Sequence, residues 1–190
     1  GKHALKSRLE ELGFELETQQ IDEAYLKFKE LADKKGQVSD KDLISIIDQK
    51  ELESITDKSY RLEKLQFVCG GGLPTAAVQV FDIKNNNLLS GSAIGTGPVD
   101  AVYKAIKELV QIPNELIEFS VHSVTEGIDA QGEVTIRVKY QNKIFTGYAA
   151  DTDILTASAK AYLNAVNKLS VFLDKTPTIS SEKTEIKVKL

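Results

Sequence analysis

The chain has 190 residues, 42% hydrophobic and 27% charged, with a net charge of −4. This is the composition of a soluble globular protein able to bury a core, and its acidic balance excludes nucleic acid as a main partner, since phosphate contacts need clustered Lys and Arg. A single cysteine, Cys69, excludes an intrachain disulfide, and no apolar run nears the roughly 20 residues that span a bilayer, so a reduced cytoplasmic setting with no membrane partner is expected.

The start, Gly1-Lys2-His3-Ala4, has no signal-peptide anatomy and enters a helical pattern at once, as expected of a piece of a longer chain. Leu5, Leu9 and Leu12 are spaced for a helix stopped by Gly13. Ile21, Ala24, Tyr25, Phe28 and Ala32 form the stripe of a second, ended near Gly36. Ser39 is a predicted N-cap, with Asp40 and Asp42 in the first turn and Leu43, Ile44 and Ile47 as the apolar face of a third helix. Three short helices make a small core, so they are expected to lean on another part of the chain. Residues 49–61 are charged and without period, and predict a linker.

From Leu62 the period becomes two. Leu65, Phe67 and Cys69 mark a strand broken at Gly70-Gly71-Gly72, with Cys69 expected as a small buried apolar group. Ala76–Ile83 and Leu88–Ala93 are predicted strands joined by a turn at Lys84–Asn87, and Val99, Val102, Tyr103, Ile106 and Val110 mark a helix ending before Pro113. Laid against itself with a shift of 56 residues, the chain then repeats: Val78 falls on Val134, Gly91 on Gly147, Ala93 on Ala149, Thr96 on Thr152, Ala101 on Ala157 and Lys104 on Lys160. The second copy runs through strands Leu116–Val124, Val134–Tyr140 and Ile144–Ala149, with a loop at Glu126–Gly132. Its closing helix carries Ile154, Ala157, Ala161, Leu163, Ala165 and Leu169.

The predicted class is therefore α+β: an N-terminal three-helix subdomain followed by two pseudo-symmetric βββα units. The boundaries are 1–48 for the helices, 49–61 for the linker, 62–112 and 113–173 for the units of one domain over 62–173, and 174–190 for a polar tail. One such unit leaves an apolar face bare, so the two copies are expected to cover each other, and a pair of chains to extend the arrangement.

The chemistry gathers at the two strand-to-helix turns. Gly95-Thr96-Gly97-Pro98 places backbone N–H groups at a helix start, which suits a carboxylate or phosphate; the same spacing also serves a plain capped turn. Gly95 and Gly97 would admit a ligand to the backbone, and Pro98 suits the first helical position. In the second turn Asp151 or Thr152 is the expected cap, and Asp153 is placed to hold an ammonium group, so that the pair would suit a free amino acid. His3 and His122 stand outside any metal-ligand spacing, and Cys69 has no nucleophile pattern around it, so neither a metal site nor a catalytic site is predicted in this stretch.

Several segments together resemble the C-terminal part of the 2-isopropylmalate synthase family. Gly1-Lys2-His3-Ala4-Leu5-Lys6, Arg8-Leu9-Glu10-Glu11-Leu12-Gly13 and Phe28-Lys29-Glu30-Leu31-Ala32-Asp33-Lys34-Lys35 are similar to its helical subdomain. Gly97-Pro98-Val99-Asp100-Ala101 with Lys104-Ala105-Ile106, and Thr152-Asp153-Ile154 with Ala157-Ser158 and Ala161-Tyr162-Leu163-Asn164-Ala165, are similar to the two repeats of its regulatory domain. The resemblance implies a homodimer whose regulatory domain binds leucine between the βββα units, near the dimer axis. It also implies an acyltransferase that condenses acetyl-CoA with 2-oxoisovalerate on a separate barrel, where a divalent metal sits. The stretch in hand would need no cofactor and catalyse nothing alone.

Carried over by motif, the implied effector site is Gly95, Thr96, Gly97, Val99, Asp100, Leu116, Phe119, Ser123, Ala130, Gly132, Ala150 and Asp151. An isoleucine-sensing region of citramalate synthase is the near alternative, and a purely structural dimerisation module the more distant one.

Overall fold

The computed structural model describes residues 1–47, 59–123 and 131–175. The elements are α1 (Lys2–Glu11), α2 (Thr18–Lys35), α3 (Asp40–Ser45), β1 (Tyr60–Gly70), β2 (Leu73–Asp82), β3 (Asn87–Ile94), α4 (Pro98–Val110), β4 (Glu115–Ser123), β5 (Gly132–Tyr140), β6 (Lys143–Asp151) and α5 (Ile154–Lys175). The chain is α+β, three helices followed by two βββα units, as the sequence predicted. The tail expected from 174 begins later than that, because α5 runs to Lys175; the expectations for 49–58, for the loop 126–130 and for 176–190 lie outside the described residues.

Each unit is an antiparallel meander, β1-β2-β3 and β4-β5-β6. The alternation seen in sequence sorts the faces of the central strands: Ala76, Val78 and Val80 are buried on β2, and Val134, Ile136 and Val138 on β5. These faces carry α4 and α5, and α4 also packs on α5, so that one apolar core runs through both units. Tyr103 of α4 meets Tyr162 of α5 edge to face, with centroids 4.9 Å apart, and the Tyr162 hydroxyl donates to Asn114 Oδ1 at 3.0 Å.

The glycine shared by the copies has a packing cause. A Cβ on Gly147 would overlap the Ala161 carbonyl and stand 2.5 Å from the Ala165 nitrogen, while one on Gly91 would stand 2.8 Å from Leu109 Cδ2. In both units this position lets the helix close onto the third strand.

β1 begins at Tyr60, before the period-two run that starts at Leu62. The reason comes from the far end of the chain. Buried Asn167 of α5 accepts from the Tyr60 N–H and donates to the Tyr60 carbonyl, both at 2.9 Å. Cys69 is exposed rather than buried. It pairs with Pro74 near the tip of the β1–β2 hairpin, beyond the buried stretch that ends at Ala76.

The three N-terminal helices have a core of their own, built on Leu5, Leu9, Leu12, Phe14, Ile21, Ala24, Leu43 and Ile47. Ser39 caps α3 as predicted: its Oγ accepts from the Asp42 N–H at 3.3 Å, and its N–H donates to Asp42 Oδ2 at 2.9 Å. This small core leans on the second sheet. Thr146 Oγ1 donates to the Leu12 carbonyl at 3.1 Å, and Gly13 sits so close that a Cβ would stand 2.7 Å from that hydroxyl. Gly13 has φ +92°, a conformation in which a side chain is strained. Arg8 grips Asp40 through two hydrogen bonds, of 3.0 and 2.6 Å.

Candidate effector site at the strand-to-helix turns

The predicted site residues fall into two groups. The first is the turn from β3 into α4. The Gly95 N–H donates to the Pro74 carbonyl at 2.9 Å, and a Cβ on Gly95 would collide with the Ala101 nitrogen. Gly95 is therefore small to admit its own helix, a packing reason for glycine that the sequence reading did not give, and its N–H is used within the chain.

Gly97 is the N-cap of α4, with extended backbone (φ −163°, ψ −178°) and no side-chain cap, and a Cβ there would meet nothing within 4 Å. Pro98 takes the first helical position, as predicted. Thr96 donates from both its N–H, at 2.8 Å, and its hydroxyl, at 3.2 Å, to Asp100 Oδ2. Lys104 Nζ lies 3.0 Å from the same oxygen. The Thr96 N–H, followed by Lys104, holds the Asp100 carboxyl below the usual carboxylate range. Among the described residues, Asp100 Oδ1 takes no hydrogen bond or ion pair, and Val99 is half-buried beside it.

The second group sits at one end of the second sheet. Register places Ser123 opposite Gly132, and Gly132 opposite Asp151, in a single rung; Ala150 belongs to the next rung, opposite Glu133. Gly132 is closed off, since a Cβ there would strike Ile154 Cδ1. Leu116 and Phe119 lie on β4 on either side of a bulge between Leu116 and Glu118. Opposite Val138 and Ile136, they share the core-facing side; Leu116 packs on the core while Phe119 stays 37% exposed. Ala130 lies outside the described residues. No hydrogen bond or ion pair among the described residues joins the first group to the second.

Two roles differ from the sequence reading. The cap of α5 is Asp153, not Asp151 or Thr152: its Oδ1 accepts from the Leu155 N–H at 3.1 Å and its Oδ2 from the Thr156 hydroxyl at 2.8 Å. Each Asp153 oxygen thus already accepts one hydrogen bond in capping α5, whereas Asp100 keeps one oxygen without a partner among the described residues. Asp151 instead steadies the turn, accepting from the Asp153 N–H at 2.9 Å, with Lys160 Nζ 3.5 Å away. An exposed apolar residue outside the predicted set is Val121, on the same side as Phe119 and opposite Val134. Its signal was present in the sequence: beyond the bulge at Leu116/Glu118, Phe119, Val121 and Ser123 alternate without a break, so Val121 shares the face of the two predicted residues that flank it.

What the first turn offers is an uncapped helix start beside a carboxylate with one oxygen to spare. An anion is favoured at the first and a cation at the second.

Known proteins give the chain its family. The family model described as the LeuA allosteric (dimerisation) domain matches residues 37–170. The 2-isopropylmalate synthase of Gloeothece citriformis (strain PCC 7424) is 54% identical over 170 residues, covering 89% of this chain and 31% of that protein. That of Gloeobacter violaceus (strain ATCC 29082 / PCC 7421) is 55% identical over 170 residues, with the same coverage. That of Nostoc sp. (strain PCC 7120 / SAG 25.82 / UTEX 2576) is 51% identical over 169 residues, covering 89% and 32%. The chain thus spans about a third of the length of these curated relatives.

Proposed function

We propose, given that this chain belongs to the family of the LeuA allosteric (dimerisation) domain, that it is the leucine-sensing region of a 2-isopropylmalate synthase. The single observation that carries the reading is the unequal pair of helix caps. Where the second copy closes α5 with Asp153, the first leaves α4 open at Gly97 and sets the spare oxygen of Asp100 beside the opening.

A free amino acid fits that pairing. Its carboxylate would take the N–H groups of the first turn of α4, and its ammonium would take Asp100 Oδ1. Its side chain would lie among apolar groups, for which Val99, Leu116 and Phe119 are the candidates, with Ala150 and the Ser123–Gly132–Asp151 rung at the edge. In the assembled protein the site would be completed near a two-fold axis. The outer face of the first sheet is a candidate for that contact: its rung Val68–Thr75–Ile94 leaves Val68 52% and Ile94 58% exposed.

The proposed whole protein condenses acetyl-CoA with 2-oxoisovalerate in the cytoplasm, on a domain that also holds the divalent metal. No helix among the described residues is long and apolar enough to cross a membrane. Leucine would inhibit by binding one arrangement of helices and sheets better than another, by an amount equal to the coupling between the sites. The matched relatives named above are 2-isopropylmalate synthases, which favours leucine over the isoleucine-sensing alternative. A thermal-shift screen of the free amino acids tests the reading: leucine should raise the melting temperature most, by mass action on the folded state. A chain stabilised by none of them would defeat it.

A further inference from the structure

A cavity of about 270 Å³ lies on the far side of the second unit, away from both turns, lined by Lys143 of β6, Lys168, Phe172 and Lys175 of α5, and Glu15 from the connection between α1 and α2. That is far more than the roughly 30 Å³ share of one water. The proposed effector reading uses none of these residues.

Lys168 is the central group. Its ammonium carries three N–H donors, and one goes to the Thr146 carbonyl at 2.6 Å. Among the described residues no other hydrogen bond or ion pair reaches it. Glu15 acts on it at longer range only, and burial outweighs that pull, pushing the amine down to about 8. Lys143 is held at the rim, its Nζ 4.2 Å from the Phe172 ring centre. The charged groups facing Lys168 are thus Glu15 from the helical segment, Lys143 from β6 and Lys175 from its own helix. Three lysines against one glutamate leave two positive charges in excess around the cavity, in a chain whose net charge is −4. A desolvated amine with unused donors, facing a cavity ringed by cations, is the complement of an anion.

We propose that this cavity is a binding site for a small dianion of the phosphate or dicarboxylate class, with Lys168 as its central contact and Lys143 and Lys175 at its mouth. The site stands where the helical segment meets the second sheet. The Thr146 carbonyl receives Lys168, while the Thr146 hydroxyl donates to the Leu12 carbonyl. A bound dianion would draw Glu15 and Lys168 apart and so bear on that junction.

The test follows the Lys168 side-chain amine by NMR, assigned with Lys168→Arg, through a pH titration of the chain alone and with inorganic phosphate or malonate, against chloride at equal ionic strength. The expected result is a saturable response in which the midpoint of Lys168 rises by about one unit or more, because an anion favours the charged amine. With malonate, a dianion over most of this range, binding at pH 8 should take up about half a proton and at pH 6.5 little, as an amine titrating near 8 requires; phosphate, which is mostly monoanionic at pH 6.5, should instead release protons there on binding as the dianion. Lys143→Gln and Lys175→Gln should each weaken binding by about threefold, as partly exposed ion pairs do. A response to phosphate alone assigns the site to tetrahedral dianions, and one to malonate alone assigns it to planar dicarboxylates. If Lys168 titrates identically with chloride and with both probes, the proposal is overturned, and the leucine reading is untouched by that result.

Discussion

Gly97 and Asp153 stand at the same position of the two copies, 56 residues apart, each at the N-cap of its helix, and only Asp153 has a side chain to close it. The internal duplication therefore supplies its own control: the second copy shows what the first turn would be if it had a purely structural task. Replacing Gly97 by Asp copies that solution into the first turn. The backbone there is extended and a Cβ meets nothing, so the variant should fold, with stability unchanged or raised by up to about 1 kcal/mol from the new cap. Its carboxylate would occupy the place proposed for the effector's, and leucine affinity should fall at least about tenfold. Urea denaturation and calorimetry on one preparation measure both numbers. A purely structural module would show the first effect and have no second to lose.

The two packing glycines should differ in cost, although the repeat makes them equivalent. A methyl on Gly147 runs into the backbone of α5, which cannot yield without moving the helix, while one on Gly91 meets only the end of the Leu109 side chain. Gly147→Ala should destabilise by about 3 kcal/mol and Gly91→Ala by about 1 kcal/mol or less. Equal losses in denaturant unfolding would show that α5 rides no closer to its sheet than α4 does.

Asn167 of α5 ties the start of β1 to the second copy. Asn167→Ala would remove both partners of the Tyr60 peptide groups and should cost about 3 kcal/mol, with the first residues of β1 losing hydrogen-exchange protection before the rest of the sheet. Retained protection at Tyr60 would show that the β1–β2 ladder holds that end unaided.

Lys168 gives the stability a defined pH dependence. Below pH 8 its amine is charged in both folded and unfolded chains, and burial opposes folding in full. Between about 8 and the unfolded value near 10.4 the unfolded chain holds more protons, so stability rises with pH through this window. Against Lys168→Met, which lacks the group, the native chain should gain about 2 kcal/mol between pH 7 and pH 9.5. A gap that does not move with pH would mean that the amine is not desolvated.

The sequence disclosed the fold well because its signals were local and doubled. Period-two runs gave the strands, the Asn and Gln turns supplied positive φ at Asn86 and Gln141, and the 56-residue shift let each copy support the other. What it hid depended on contacts across the chain. The start of β1 is set by Asn167, more than a hundred residues away. The exposure of Cys69 depends on how far the hairpin overruns the core, and the role of Gly95 on how close α4 approaches.

At the turns, residue type alone did not say which of Asp151, Thr152 and Asp153 would cap, because the choice turns on where α5 begins. Nor did it show that Asp100 would bind back on Thr96 and leave its other oxygen unused. The bulge in β4 lies between Leu116 and Glu118, and it is what brings Leu116 and Phe119, three residues apart, to one side of the strand.

The most direct measurement is a calorimetric titration of the chain with leucine and, separately, with isoleucine, in samples whose dimer content is fixed by sedimentation. Leucine should bind saturably, isoleucine more weakly by about 1 kcal/mol or more for its displaced methyl, and the NMR shifts should centre on the Gly97 amide and the Asp100 carboxyl. A folded dimer that takes up no leucine, or takes it up equally well after Gly97→Asp, would contradict it.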